Sequence, residues 1–260
     1  RPPPRGAGLQ NAKGARGMNI LIAGQKWFGA EVFRALRDLP GVSIAAVCAP
    51  TGGDKLAARA RLYDVPLIAS GGLNAASMPP GIDLIVAAHS HDFIGQATRL
   101  RAKWGGIGYH PSLLPLHRGR DAVRWAIRMG DRVTGGSVYR LSNRMDGGDV
   151  LAQRHVFIRT GDTAEELWRR DLAPLGVELL AQTVAAYAET GYQHGTAQDE
   201  ALATWEPSID RPPAFRPDLL MIEGPKAPKP RRVLPPGLHP WLVAEAEHDA
   251  GLYETLLGPA

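Results

Sequence analysis

The sequence predicts an α/β protein built on a doubly wound, parallel sheet. Apolar runs of strand length recur from Met18 to Gly24, Val42 to Cys48 and Asp83 to Ala88. They lack polar alternation, as strands buried on both faces do. Segments of helical spacing separate them, and glycine, proline or aspartate marks the joins.

In chain order, the first strand stops at Gly24, and Val32, Leu36 and Leu39 give helical spacing from Glu31 to Arg37. Pro40-Gly41 turns the chain into the second strand, Asp54 to Tyr63 reads as a helix, and residues 64–68 as a short strand. After the strand at 83–88, a helix is expected from Phe93 to about Lys103. A short apolar run through Ile107 then stops against His110-Pro111. Ala122 to Met129 is helical, and strands at 136–141 and 150–158 are joined by a glycine-rich loop, Asn143 to Asp149. Gly161-Asp162-Thr163 supplies a capping residue for a long amphipathic segment, with Glu165 and Glu166 complementing its dipole. Leu167, Leu172, Leu175, Leu179, Val184 and Tyr187 carry one or two helices up to Gly191. From Pro207 to Pro240 ten prolines argue for an extended arm, closed by a short helix over 241–257. Three units follow: a disordered basic extension at 1–17, a catalytic domain at 18–206 and a Pro-rich extension at 207–260.

Composition narrows the function. Of 260 residues, 44% are apolar, which supports a sizeable core. Cys48 is the only cysteine and lies in a strand run, so neither a disulfide framework nor a Cys-based metal site is expected. No apolar stretch approaches the roughly 20 residues of a membrane span; a cytoplasmic setting is expected. The formal net charge of +4 equals the contribution of Arg1, Arg5, Lys13 and Arg16 in the basic extension. The rest is neutral, giving little counterion-release drive toward nucleic acid.

The most informative stretch is Gly108-Tyr109-His110-Pro111-Ser112-Leu113-Leu114-Pro115-Leu116-His117-Arg118-Gly119. A lone histidine at such a place more often caps a buried strand. Here two prolines and a glycine present it on an extended loop at a strand end, where α/β proteins keep their chemistry. Gly24-Gln25-Lys26-Trp27-Phe28-Gly29 lacks dinucleotide spacing and a Walker pair, and reads as a strand-to-helix turn. His89 and His91 have no companion metal ligands in the sequence pattern, so no metal is expected. Asp146 sits in the glycine-rich loop and is either a turn former or a partner for His110. As a partner it gives chemistry: a protonated imidazole donates to a developing oxyanion, while the carboxylate favours that charged ring and collects a proton.

His110-Pro111-Ser112-Leu113-Leu114-Pro115 with Arg118-Gly119 resembles the signature loop of the folate-dependent formyltransferases. Thr134-Gly135-Gly136-Ser137-Val138, Asp146-Gly147-Gly148-Asp149 and Gln153 resemble that family's second motif, in the family's order. The likeness covers roughly Met18 to Ala201. It implies a Rossmann-like, mostly parallel formyltransferase fold, 10-formyltetrahydrofolate as one-carbon donor, and His110 and Asp146 as catalytic residues. His89, Ser90, Phe93 and Ile94, with Ser142, Asn143, Arg144 and Met145, would then bind the folate. Gly108, Ser112, Leu113, Leu114, Pro115, Arg118 and Gly119 would form the substrate loop.

The family's transferases usually carry asparagine two residues before the histidine; here stands Gly108. Losing such a donor typically costs on the order of 10²–10³ in rate. Gly24-Gln25, Phe28-Gly29 and His117-Arg118-Gly119 look most like the hydrolase domain of 10-formyltetrahydrofolate dehydrogenase, whose formyl acceptor is water. The N-terminal domain of methionyl-tRNA formyltransferase is also similar, but residues 207–260 are too few and too proline-rich for its nucleic-acid-binding barrel. The expectation is formyl transfer to an amine, with hydrolysis to formate and non-catalytic folate binding as rivals. Gly108→Asn is expected to raise transfer if the amide is what is missing.

Overall fold

A computed structural model describes residues 17–210. Seven strands form one sheet: β1 (Met18–Gly24), β2 (Val42–Ala49), β3 (Leu67–Ala69), β4 (Leu84–Ala88), β5 (Gly106–His110), β6 (Val133–Arg140) and β7 (Val150–Phe157). Their order is β3-β2-β1-β4-β5-β6-β7. The pairs from β3 through β5 are parallel; β5–β6 and β6–β7 are antiparallel. The sheet is therefore mostly parallel, and its winding reverses between β1 and β4.

Two cores account for the uninterrupted apolar strands. Ile20, Ile22 and Val86 join one core with α1 (Lys26–Arg37), α2 (Lys55–Leu62) and the long helix α6 (Ala173–Thr190). Leu21, Ala23 and Ile85 join the other with Ala46, Cys48 and Ile94. Neighbouring residues thus point to opposite faces, and both faces are covered. Burial, and then the hydrogen bond to Asp92, pushes the Cys48 thiol up to about 12. It is an unreactive core group.

Several boundaries differ from the sequence reading, each for a local reason. The helix α1 starts at Lys26, because Gly29 already donates to the Gln25 carbonyl inside the apparent turn. The helix expected from Phe93 to Lys103 shrinks to one turn, α3 (Gln96–Arg99). Lys103 and Trp104 instead give their N–H groups to Ile82 and Asp83, at the entry to β4. The strand β6 begins at Val133 and not at Gly136, since Val133 to Gly135 pair with β7 despite the glycines. The helix α4 (Ala122–Met129) has the expected limits.

The last helical segment is broken into α5 (Ala164–Leu167), a π turn over Trp168–Leu172, and α6. Thr163 and Glu166 form a capping box at its start. Pro174 lies in the first turn of α6 and has no N–H to return to the preceding turn, and Ala173 donates to the Trp168 carbonyl five residues back. Residues 193–206 then run from the start of β7, where Thr196 bonds Val150, to the loop after β5, where Thr204 bonds Arg118. The Pro-rich arm beyond Asp210, the helix expected at 241–257, and residues 1–16 lie outside the described residues.

Asp162, just before α5, accepts both terminal nitrogens of Arg170 in the π turn, each at 2.7 Å. This pairing holds the carboxyl down to about 2, against an ordinary value of 3.8. A depressed folded value stabilises above the unfolded one and is lost as pH falls through the folded one. Wild type is expected to exceed Asp162→Asn in urea-unfolding stability near neutral pH. The difference should disappear as the pH is lowered from 3.8 toward 2.

Candidate active site

The site grows from complementary packing between β5 and β6. Gly108 lies opposite Tyr139 in the ladder, and His110 opposite Ser137. A Cβ on Gly106 would stand 2.9 Å from Leu141 Cδ1. On Gly108 it would stand 3.1 Å from Leu141 Cδ2 and 3.3 Å from Tyr139 Cε1. The two glycines therefore make room for Tyr139 and Leu141, and His110, two residues on, shares their face. Tyr109 faces the opposite way. It packs over Gly136 and Gly176, and its hydroxyl donates to the Leu172 carbonyl at 2.7 Å. That burial lifts the Tyr109 phenol above its ordinary range.

His110 is buried, and both ring nitrogens face acceptors. Its Nε2 lies 2.7 Å from the His117 carbonyl oxygen, and its Nδ1 3.6 Å from Asp146 Oδ2. Only a doubly protonated ring offers a hydrogen to both. Asp146 has φ +50° and a nearly buried carboxylate. Its Oδ2 accepts the Gly119 N–H at 2.8 Å, and its Oδ1 accepts the Tyr139 hydroxyl at 2.6 Å. Burial first, and then the Asp146 charge, raises the Tyr139 phenol well above its ordinary value.

The loop after His110 is tied down from beneath. Ser112 donates to the Leu116 carbonyl at 2.6 Å. Ser137 donates to the Ser112 carbonyl at 2.7 Å and accepts the Leu114 N–H at 3.1 Å. Gln153 donates to Ser137 at 2.8 Å and to the Leu114 carbonyl at 3.0 Å. Leu113 fills the space over Gly135, and the Leu114–Pro115 bond is cis. The side chains of Ser112, Ser137 and Gln153 thus hold the loop by its backbone groups.

Arg118 has a structural place. Its buried guanidinium bonds Gln198 Oε1 and both oxygens of Glu200, holding that carboxyl below its usual range. Gln198 in turn donates to the carbonyls of Asp146 and Gly148, both at 2.7 Å. Thr204 donates its N–H to Pro115 and accepts from Arg118 N–H, while its hydroxyl accepts the His117 N–H. His117, at φ +54°, has its ring between Asp131 (2.8 Å) and Glu206 (3.1 Å). Residues 196–206 thus strap the loops of both His110 and Asp146. Sequence reading missed this strap, because pairings across some 80 positions leave no local periodicity.

The folate-binding candidates fall in two groups. Arg99, buried and unremarked in the sequence, donates to the Ile94 carbonyl at 2.9 Å and to Asn143 Oδ1 at 2.9 Å. It joins the segment of Phe93 and Ile94 to the loop of Ser142, Asn143, Arg144 and Met145. Ile94 is buried, while Phe93 (80%) and Met145 (59%) are exposed. Ser142 accepts the Arg144 N–H, and Arg144 pairs with Glu200 at 3.1 Å. His89 and Ser90 sit where the sheet reverses: the His89 ring meets His91 and Trp168 edge-on, and Ser90 accepts the Asp92 N–H. Among the described residues, no group of three or more His, Cys, Asp or Glu is arranged to hold a metal, and no helix is long and apolar enough to cross a membrane.

Fold and site together define an α/β domain with an imidazole–carboxylate pair at the carboxyl edge of its sheet. Residues 73–184 match the family described as formyl transferase. Human cytosolic 10-formyltetrahydrofolate dehydrogenase is 31% identical over 202 residues, which cover 73% of this chain and 22% of the relative. Methionyl-tRNA formyltransferase of Acidobacterium capsulatum is 39% identical over 113 residues, 42% of this chain and 34% of the relative. The crystal structure of glycinamide ribonucleotide transformylase 1 from Geobacillus kaustophilus superposes with a TM-score of 0.56 at 26% identity, covering 66% of this chain and 99% of that one. The chain carries a formyl transferase domain. It spans about a fifth of the dehydrogenase and a third of the tRNA enzyme.

The packing at Gly108 reverses the outcome expected for Gly108→Asn. The new side chain would enter space held by the rings and methyls of Tyr139 and Leu141. Overpacking of this kind costs about 1–3 kcal/mol. The variant is expected to unfold at a lower temperature and to gain no transfer activity, read by thermal denaturation and a formyl-transfer assay.

Proposed function

We propose that this domain moves the formyl group of 10-formyltetrahydrofolate to an amine acceptor at a site formed by His110 and Asp146. The observation that carries this reading is the buried His110 ring with an acceptor at each nitrogen, one of them Asp146. The family match and the folate named in the dehydrogenase relative support the donor. The segments bridged by Arg99 suit a flat heterocycle, with apolar Phe93, Ile94 and Met145 beside the polar backbone of 142–146.

The folate supplies an activated formyl group. With Nδ1 kept on Asp146, His110 Nε2 exchanges the His117 carbonyl for the formyl oxygen and donates a hydrogen bond to it as negative charge develops there. Asp146 orients the imidazole through Nδ1 and receives the proton that the attacking amine sheds as its new C–N bond forms. That proton returns to the folate nitrogen as the old C–N bond breaks. Charge and protons then balance without a redox partner.

Gly108 favours a second reading, hydrolysis. With no amide at that position, water in place of the amine would yield formate and tetrahydrofolate. The experiment is incubation of the full chain with 10-formyltetrahydrofolate, with and without amines. Formate released without an acceptor supports hydrolysis; formylation of an amine supports transfer. Either activity is expected to fall about 10²–10⁴-fold in His110→Ala. Absence of folate binding overturns both readings.

A further inference from the structure

Among the described residues, Tyr139 is an ionisable side chain bonded to Asp146 to which the proposed chemistry assigns no task. It faces Gly108 across the β5–β6 ladder, with Cε1 and Cζ at 3.3 and 3.4 Å from where a Cβ on that glycine would be. The phenol therefore fills the space into which a side chain at 108 would project. Its hydroxyl reaches Asp146 Oδ1 at 2.6 Å. The other oxygen, Oδ2, is left for the Gly119 N–H and for His110 Nδ1.

This division of labour matters because Asp146 stands on an irregular loop. A carboxylate held at one oxygen can turn about its terminal torsion, which is broad for aspartate. Donors at both oxygens fix its plane. The Gly119 N–H is a permanent donor, and the buried Tyr139 hydroxyl keeps its proton far above the ordinary phenol range. The ring sits in β6, a strand paired on both sides, so the hydroxyl is delivered by the most rigid element at the site.

We propose that Tyr139 is a positioning residue of the His110–Asp146 pair, orienting the Asp146 carboxylate from the space that a side chain at position 108 would take. The proposal rests on the formyl-transfer or hydrolysis reading for its kinetic consequence, but not for its structural one. A phenylalanine keeps the ring packing and removes only the donor.

The test is Tyr139→Phe in the full chain, with two readouts. In the folate assay, kcat is expected to fall about 10–100-fold, the size associated with a hydrogen bond to a charged group. KM for 10-formyltetrahydrofolate should stay within about twofold, and the acid limb of the pH profile should move upward, because the charged carboxylate has lost a donor. In the protein without substrate, the ring-nitrogen NMR signals of His110 are expected to shift. An unchanged His110 signal with unchanged kcat and pH profile, even at lower thermal stability, overturns the positioning role. A shifted His110 signal in a protein whose wild type neither binds nor consumes 10-formyltetrahydrofolate overturns the activity reading and leaves the positioning role standing.

Discussion

Aromatic rings laid over glycines between β5 and β6 set the geometry on which the site depends. Tyr139 crosses Gly108 on one face, and Tyr109 crosses Gly136 on the other. Tyr109 needs a glycine beneath it, since a Cβ on Gly136 would lie within 2.3 Å of its hydroxyl, while a Cβ on Gly108 would crowd Tyr139 at 3.3 Å. This packing fixes the register of an antiparallel pair at the edge of a parallel sheet. A one-residue slip would exchange the faces and carry His110 away from Asp146. The same register puts Ser137 under the His110 loop, where it serves as a donor and an acceptor at once.

The Asp146 carboxylate gathers these constraints into one place. It meets a strand through Tyr139, a loop through Gly119, and the imidazole through its Oδ2. The backbone behind it is held by Gln198, itself held by Arg118. The strap that supplies Gln198, Thr204 and Glu206 comes from the chain after α6, so the site includes residues well past the family match at 73–184. Buried polar groups of this kind are costly unless paired, and here they close partly onto backbone groups, as Gln198 does, and partly onto other side chains, as Arg118 and Tyr139 do.

The positions and parallel type of the early strands were legible because both faces of the sheet are covered. Unbroken apolar runs such as Met18 to Gly24 have few other uses in a chain of this composition. The π turn was not legible: Leu167, Leu172 and Leu175 keep an approximate helical spacing across it, and the pattern hides the extra residue. The short α3 was overread because Ala102 and Leu100 satisfy helical spacing while their backbone neighbours are claimed by β4. At the site, His110 and Asp146 stood out as polar groups set among glycines and prolines. Tyr139 and Arg99 did not, since an aromatic in a strand and an arginine in a helix are ordinary until their partners are known.

By itself the sequence determined the α/β class with its doubly wound, mostly parallel sheet, and the two motifs that carry the resemblance to formyltransferases. These are local properties: periodicity, turn residues and spacing act over a few positions of chain. The tertiary structure alone decided that Gly108 lies under the Tyr139 ring, that Arg118 serves the strap, and that Asp146 is held at both oxygens. Those facts depend on which residues meet across the β5–β6 ladder and across some 80 positions of chain, and pairing at that range is set by the packing of the whole domain.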